Sequence, residues 1–216
     1  MITVFYTSFE GKFTDAEWRN KLGELPEKLG REVSRFHRWQ DRQSRLLGKL
    51  LLREGLKKAG CGPGCLDGLA EDGNGRPFVG ENVDFNISHS HEYTVCAVSN
   101  QGKVGIDIEK AEPTALEDFE KQMTPEEWRI IRSSDRAFER FYGYWTMKES
   151  VLKADGRGLS IPFDRVEISG DRARLSDTVW HLCELDICSG YVCHLATDWD
   201  CSETGVDLKR LDFQAV

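Results

Sequence analysis

The chain has 216 residues and a formal net charge of −8, with 39% hydrophobic and 31% charged residues, as expected for one large or two small soluble domains. No segment approaches the run of about 18 apolar residues needed to cross a membrane, which argues against an integral membrane protein. The seven cysteines are odd in number and lie in apolar stretches, which favours free thiols in a reducing cytoplasm over a disulfide framework.

The first thirteen residues, MITVFYTSFEGKF, carry no cationic segment followed by a long apolar run. They therefore predict a first β-strand instead of a secretory signal peptide. A cytoplasmic protein is the expectation from this start and from the cysteine content.

One long amphipathic helix is predicted over residues 31–58, because apolar residues recur there at helical spacing. A second stripe of cations recurs at spacings of three and four: Arg31, Arg35, Arg38, Arg42, Arg45 and Lys49. From Lys28 to Lys58 there are ten Lys or Arg and three acidic residues, so this segment is positive within an acidic protein. Such a segment indicates an anion-binding surface, although a solvated helix face explains most of these cations equally well. Genomic nucleic acid is a poor candidate, since the rest of the surface would repel it.

The middle of the chain predicts strands. Residues 72–77 form a glycine-containing turn, and strands are expected over 84–88 and 93–99, around a loop at His89–His91. The strand predicted at 104–110 places Asp107 and Glu109 on one face, because side chains alternate with a period of two. Two carboxylates on one face repel each other unless a cation lies between them.

A second long helix is predicted over about 136–154, ending at Gly156, after a capped helix start at Thr124–Glu127. On this helix Glu149 and Lys153 lie one turn apart, and Lys148 is adjacent to Glu149. A third carboxylate from Glu149 would complete an all-oxygen site suited to Mg²⁺, whereas the simpler reading is a solvated surface ion pair.

The last fifty residues are strand-like over 166–169, 179–187 and 191–196, with a hairpin turn at Ser189-Gly190. The cysteines and histidines in this region match no familiar zinc spacing, so buried strand cysteines are favoured. For the pair Cys61 and Cys65 a simple loop is likewise favoured over a metal or redox site.

The motif GIDIEK at 105–110, followed by WTMKESVLK at 145–153, resembles the paired signature of the 4′-phosphopantetheinyl transferases of the surfactin-synthetase type. GRPF at 75–78, FNISHS at 85–90 and GRGLSIP at 156–162 agree with it in order and spacing. The resemblance spans roughly residues 25–165. Each motif alone is weak, but the set in register is specific.

The resemblance implies an α+β fold of two similar lobes related by a pseudo-twofold axis, with the site in the cleft between them. Each lobe is a mainly antiparallel sheet with a long helix packed on it. The expected N-terminal lobe, 1–102, carries the coenzyme A-binding basic helix and the His-Ser loop. The expected C-terminal lobe, 103–216, carries the metal-binding strand and the WxxKE helix. A repeated order of helix, glycine turn, Pro-Phe and strand in both halves also hints at an internal duplication.

By resemblance, the reaction moves 4′-phosphopantetheine from coenzyme A to a serine of an apo acyl or peptidyl carrier protein, releasing adenosine 3′,5′-bisphosphate. Such a holo-[acyl-carrier-protein] synthase would hold Mg²⁺, or Mn²⁺, on Asp107, Glu109 and Glu149. Glu149 and Lys153 would be catalytic, Glu149 as the base. The resemblance also implies a set of coenzyme A-binding residues: Lys28, Arg31, Arg45, Arg76, Ser88, His89, Lys148 and Lys153.

Two alternatives remain open at the level of sequence. One is a Mg²⁺-dependent hydrolase that cleaves the coenzyme A pyrophosphate with water. The other is a non-catalytic module that binds coenzyme A or a carrier protein. We expect a monomer, because the duplication places both lobes in one chain, and we expect no nucleic-acid or membrane partner.

Overall fold

In the computed structural model, which describes residues 2–80, 82–202 and 205–213, the chain divides into two units, Met1–Gln101 with Gly205–Val216, and Gly102–Thr204. The fold is α+β, as predicted, and each unit contains a mainly antiparallel sheet and one long helix. The pseudo-twofold relation between the units stays a prediction.

The first unit contains three α-helices, one short 3-10 helix (Cys65–Gly68) and six strands within its described residues. The helices are α1 (Asp15–Leu22), α2 (Glu27–Ser34) and α3 (Trp39–Lys58). The strands are β1 (Ile2–Ser8), β2 (Ala70–Glu71), β3 (Pro77–Phe78), β4 (Asp84–Ser90), β5 (Tyr93–Ser99) and β11 (Val206–Arg210). The sheet has the order β11-β1-β5-β4, and β2 and β3 form a separate hairpin.

The predicted 31–58 helix is wrong as a single element, because the chain leaves helical geometry at residues 35–38. The shorter α2 buries Leu29, Gly30 and Val33, whereas α3 buries its own row of leucines. Phe36, an apolar residue within the range of the predicted amphipathic helix, is 37% exposed. Two helices with separate buried faces therefore replace the predicted helix, and the continuous cation stripe is lost.

Strand β11 pairs in parallel with β1, so the end of the chain belongs to the first unit. The predicted division after residue 102 had placed this segment in the C-terminal lobe, and the strand itself was not predicted. The predicted His89–His91 loop also differs from the structure. His89 and Ser90 extend β4, and the turn is confined to His91 and Glu92, with His91 at φ 50°.

The second unit has two α-helices, three short 3-10 helices and five strands within its described residues. The helices are α4 (Pro125–Arg132) and α5 (Ala137–Asp155). The strands are β6 (Val104–Lys110), β7 (Glu167–Ser169), β8 (Arg172–Leu175), β9 (Thr178–Glu184) and β10 (Tyr191–Thr197), in the order β6-β10-β9-β8-β7. All neighbouring strands are antiparallel.

The predicted helix signals in this unit are confirmed. Thr124 and Glu127 form a reciprocal capping box at the start of α4, and Gly156 ends α5 in the left-handed conformation at φ 91°. The seven cysteines are free thiols, Cys61 and Cys65 among them. None of the described helices is both long and apolar enough to span a bilayer.

Candidate functional site

A close approach of α5 to β6 brings the predicted metal-binding carboxylates onto one surface. A Cβ atom at Gly105 of β6 would lie 1.9 Å from the Ser150 carbonyl oxygen and 2.5 Å from the Ala154 nitrogen, both in the backbone of α5. Only glycine fits at that distance. Because Asp107 is two residues further along the same strand face, its carboxylate is directed toward α5.

Asp107 is 3% exposed, and its Oδ1 accepts a hydrogen bond of 2.6 Å from Nζ of Lys153. The Lys153 side chain is 28% exposed, so one end of this ion pair reaches the surface. Burial alone would lower the pKa of Lys153, but the negative charges of Asp107, Glu149 and Glu109 together raise it. Lys153 therefore stays an ammonium ion among three carboxylates.

Glu149 lies on α5 one turn before Lys153 and is partly buried. Burial raises the pKa of its carboxyl group, Lys153 partly offsets this, and the negative charge of Asp107 raises the pKa further. A carboxylate with a raised pKa is a better proton acceptor at neutral pH than an exposed one.

Within the described ranges, no three His, Cys, Asp or Glu side chains form a ready-made metal-binding cluster. The Asp107 carboxylate instead forms an ion pair with the Lys153 ammonium. The donor set still fits a hard divalent cation, because Asp107, Glu109 and Glu149 offer only oxygen ligands and their mutual repulsion favours added positive charge. The three residues therefore stay candidates for a metal site that assembles on binding.

Lys148 does not belong to this group, and its surroundings do not favour the phosphate contact predicted from sequence. Its side chain is 0% exposed, and Nζ lies 2.7 Å from Oε2 of Glu127. The backbone carbonyl oxygens of Gln122 and Phe163 each accept from the same ammonium at 3.3 Å. Because an ammonium has three N–H donors, these partners leave none for a phosphate group.

The predicted coenzyme A ligands of the first unit fall on two different helices. Lys28 and Arg31 lie on α2, where both are exposed and Arg31 pairs with Glu27 at 2.5 Å. Arg45 lies on α3, and its guanidinium stacks 3.8 Å above the Phe36 ring centroid. Stacking on an aromatic face orients a guanidinium while leaving its edge N–H groups for an anion.

The remaining predicted ligands are on or beside the sheet of the first unit. Arg76 follows the β2–β3 turn and pairs with Asp84 at 2.6 Å, an acidic partner that sequence reasoning did not foresee. Ser88 is buried within β4. His89 lines a cavity of about 740 Å³ together with Arg38 and Arg210.

Two buried pairs were missed at the level of sequence: Glu127 with Lys148, and Thr146 with His194, whose Oγ1 and Nδ1 atoms lie 2.7 Å apart. The capping signal had marked Glu127, but a cap does not predict the second partner of the carboxylate. His194 carried no signal, because a single histidine in an apolar strand is compatible with many environments.

An α+β protein that gathers three carboxylates and a lysine on one helix and strand matches the class of enzymes that act on phosphate groups with a divalent cation. Two family descriptions match the chain directly. Residues 103–202 match the 4′-phosphopantetheinyl transferase superfamily, and residues 12–101 match the 4′-phosphopantetheinyl transferase N-terminal domain. The chain therefore belongs to the 4′-phosphopantetheinyl transferase family.

Curated relatives agree with this assignment. The 4′-phosphopantetheinyl transferase gsp of Aneurinibacillus migulanus is 30% identical over 190 residues, 83% of this chain and 78% of the relative. A 4′-phosphopantetheinyl transferase of Bacillus subtilis is 36% identical, over 62% of this chain and 61% of the relative. The Sfp protein of Bacillus subtilis strain 168 is 33% identical, over 66% of this chain and 65% of the relative. The alignments thus span a little under two thirds of both Bacillus subtilis relatives.

Proposed function

We propose that this protein transfers the 4′-phosphopantetheine group of coenzyme A to a serine hydroxyl of an apo carrier protein, releasing adenosine 3′,5′-bisphosphate. The observation that carries the proposal is the grouping of Asp107, Glu149 and Lys153 on β6 and α5, with Glu109 acting electrostatically on the same lysine. The family membership of the chain supports the same reaction.

The reaction requires a neutral hydroxyl to attack the β-phosphate of a polyanion, so the barrier is mainly electrostatic and geometric. Glu149 removes the serine proton, directly or through a water molecule. The Lys153 ammonium leaves its ion pair with Asp107 and then neutralises the charge of a phosphate oxygen. Mg²⁺, or Mn²⁺, held by Asp107, Glu109 and Glu149, would supply Lewis-acid stabilisation of the pyrophosphate oxygens.

The family resemblance assigns the binding of the nucleotide end of coenzyme A to residues of the first unit. Arg45 and His89 bind the 3′-phosphate, with Lys28 and Arg31 as further cations, and Arg76 and Ser88 hold the adenine and phosphate end. Guanidinium groups suit this role because they bind phosphate oxygens in a bidentate manner. Lys148 is not among the proposed coenzyme A ligands, because its ammonium group is buried and paired with Glu127 inside the second unit.

A single assay separates this proposal from the two alternatives. Coenzyme A is incubated with Mg²⁺, with and without an apo acyl or peptidyl carrier protein, and adenosine 3′,5′-bisphosphate and holo carrier protein are measured. A transferase forms both products only with the carrier protein. A hydrolase releases the nucleotide without it, and a binding module releases none in either arm. Product formation in EDTA would contradict the divalent metal requirement.

We further propose that the enzyme is a monomer and that it is located in the cytoplasm. Specific activity should stay constant on dilution to nanomolar concentration, while the sedimentation mass stays that of one chain. Activity that falls together with the sedimentation mass would contradict the monomer.

A further inference from the structure

His194 is a buried residue that the proposed reaction does not use. It is 7% exposed on β10, and Nδ1 lies 2.7 Å from Oγ1 of Thr146, which is fully buried on α5. The same hydroxyl lies 2.8 Å from the carbonyl oxygen of Tyr142, one turn earlier. This cluster links the middle of α5 to the central part of the sheet.

The Thr146 hydroxyl has three contacts, because it also lies 3.2 Å from the carbonyl oxygen of Gly143, and together they indicate the hydrogen-bond directions. A hydroxyl carries one proton, and the Tyr142 carbonyl can only accept it. The short contact to His194 therefore has Nδ1–H donating to the Thr146 oxygen, and Nε2 carries the lone pair. Burial lowers the pKa of His194 to about 4, so this neutral tautomer is the form present near pH 7.

The strand register places His194 directly opposite Asp107. Side chains of opposed residues lie on the same sheet face, with Cβ atoms about 5 Å apart. Gly105 and Ala196 form the next pair on that face, at the close contact with α5. His194 thus lies beside Asp107 in the sheet while it is bonded to the helix that carries Glu149, three residues beyond Thr146.

His194 also lines a cavity of about 850 Å³ with Gly143, Met147 and Val192, although only 7% of the residue is exposed. The bond to Thr146 is the directional contact that, together with this packing, holds the orientation of the ring. We infer that His194 is a positioning residue of the proposed metal site, which fixes β6 against α5 so that Asp107 and Glu149 are held at one separation. This inference rests on the proposed function, since it assigns these carboxylates to one metal ion.

The test uses isosteric variants and Mn²⁺ affinity, measured by electron paramagnetic resonance in the presence of coenzyme A. His194→Asn keeps an amide N–H at the position of Nδ1, whereas His194→Gln moves the amide to the position of Nε2. Thr146→Ser keeps the hydroxyl, and Thr146→Val removes it without changing the shape. Groups that orient metal ligands typically contribute 10- to 100-fold to metal affinity.

We expect His194→Gln and Thr146→Val to weaken Mn²⁺ binding about tenfold or more, and His194→Asn and Thr146→Ser to stay within about threefold of wild type. The double variant Thr146→Val with His194→Gln should be no weaker than the worse single variant, because both remove the same bond. Comparable melting temperatures of the Asn and Gln variants exclude a general loss of folding.

The inference is overturned if His194→Asn is as defective as His194→Gln, or if Thr146→Val binds Mn²⁺ like wild type. Wild-type protein that binds Mn²⁺ but transfers no phosphopantetheine would remove the proposed function and leave the positioning role in place. Wild-type protein that binds no Mn²⁺ with coenzyme A would remove the metal site and the positioning role together.

Discussion

The two units contain the same local topology but very different interiors. In the first unit α3 packs on three antiparallel strands in the order β1-β5-β4, and in the second unit α5 packs mainly on β6 and β10, the first two strands of the order β6-β10-β9. In both, the later strand of the hairpin lies in the middle of the three. The shared order supports the predicted duplication, and in it the strand that corresponds to β4 is β9.

The first unit buries α3 leucines against β1, β4 and β5, and the buried polar side chains among its described residues are uncharged. The second unit buries Lys148 against Glu127, Thr146 against His194, and Asp107 beneath Lys153. Buried charges cost desolvation free energy, and a protein retains them where specificity or chemistry requires them. The difference therefore places the buried charges, and with them the candidate chemistry, in the second unit.

The largest expected effect is on the stability of the second unit. Lys148→Met leaves the Glu127 carboxylate buried without its cation, which typically costs 3–5 kcal/mol of the free energy of unfolding. Adding Glu127→Gln should recover most of the loss, because glutamine can keep the capping interaction with Thr124. Urea denaturation of the three proteins measures both changes.

Turnover of folded Lys148→Met protein should stay within a few fold of wild type, since the ammonium reaches no substrate. If Lys148→Met protein is as stable as wild type but has lost its turnover, Lys148 makes the phosphate contact predicted from sequence. Lys153→Met, by contrast, should abolish most activity, because that ammonium lies at the surface of the carboxylate group.

The next effect concerns catalysis in the same unit. Asp107→Ala, Glu109→Ala and Glu149→Gln should each lower kcat at least about 100-fold, equivalent to about 2.7 kcal/mol. Glu167→Ala, which changes an exposed carboxylate on β7, is the matched control and should have no effect. Steady-state kinetics with coenzyme A and a carrier protein measures these values. Near-wild-type turnover of any folded variant would remove that residue from the proposed site.

Much of the second unit was predictable because its signals are local. The capping box at Thr124, the period-two pattern of 104–110 and the left-handed Gly156 are each set within a few residues. The paired motifs then identified the carboxylates on β6 and α5. The sequence could not show that Lys148 and Lys153 have opposite environments, because Glu127 reaches Lys148 only through tertiary packing.

The first unit was less predictable for the same reason. The cation and apolar stripes continue through residues 31–58, yet tertiary packing gives α2 and α3 separate buried faces and ends helical geometry at 35–38. Strand β11 carries alternating residues, but its pairing with β1 joins positions about 200 residues apart. Local patterns contain no information on such a contact.

Nucleotide binding tests the proposed role of the first unit. A charge-assisted phosphate contact contributes about 1.5–3 kcal/mol, so Arg45→Ala should raise KM for coenzyme A about 10- to 100-fold. Kinetics with dephospho-coenzyme A, which lacks the 3′-phosphate, should barely change. Comparing the two substrates therefore distinguishes a phosphate contact from a general effect on the helix.

Arg42→Ala is the control for this prediction, because Arg42 lies on the same helix but over the Trp18 ring. Arg38 is less suitable, since it shares a cavity with His89. If Arg45→Ala weakens both substrates equally, the phosphate contact lies elsewhere. If Arg42→Ala raises KM for coenzyme A as much as Arg45→Ala does, the cations of this helix act through their combined electrostatic field and not through one specific contact.

The last prediction compares how the long helix approaches the sheet in each of the two units. The first unit has glycine on the helix: a Cβ at Gly55 would lie 2.5 Å from Cγ2 of Val98. The second unit has glycine on the strand, and a Cβ at Gly105 would lie 1.9 Å from backbone oxygen. A side chain can change rotamer, whereas the backbone of α5 can only move as a helix. Overpacking typically costs 1–3 kcal/mol, so Gly55→Ala should fall near the lower end and Gly105→Ala near or above the upper end.

The two alanine variants should also differ in function. Moving α5 away from β6 separates Glu149 from Asp107, so Gly105→Ala should weaken Mn²⁺ binding, whereas Gly55→Ala should change only the denaturation midpoint. Urea denaturation and Mn²⁺ titration of both variants measure the two effects. Equal loss of metal affinity in both variants would mean that the carboxylates depend on general stability and not on the contact at Gly105.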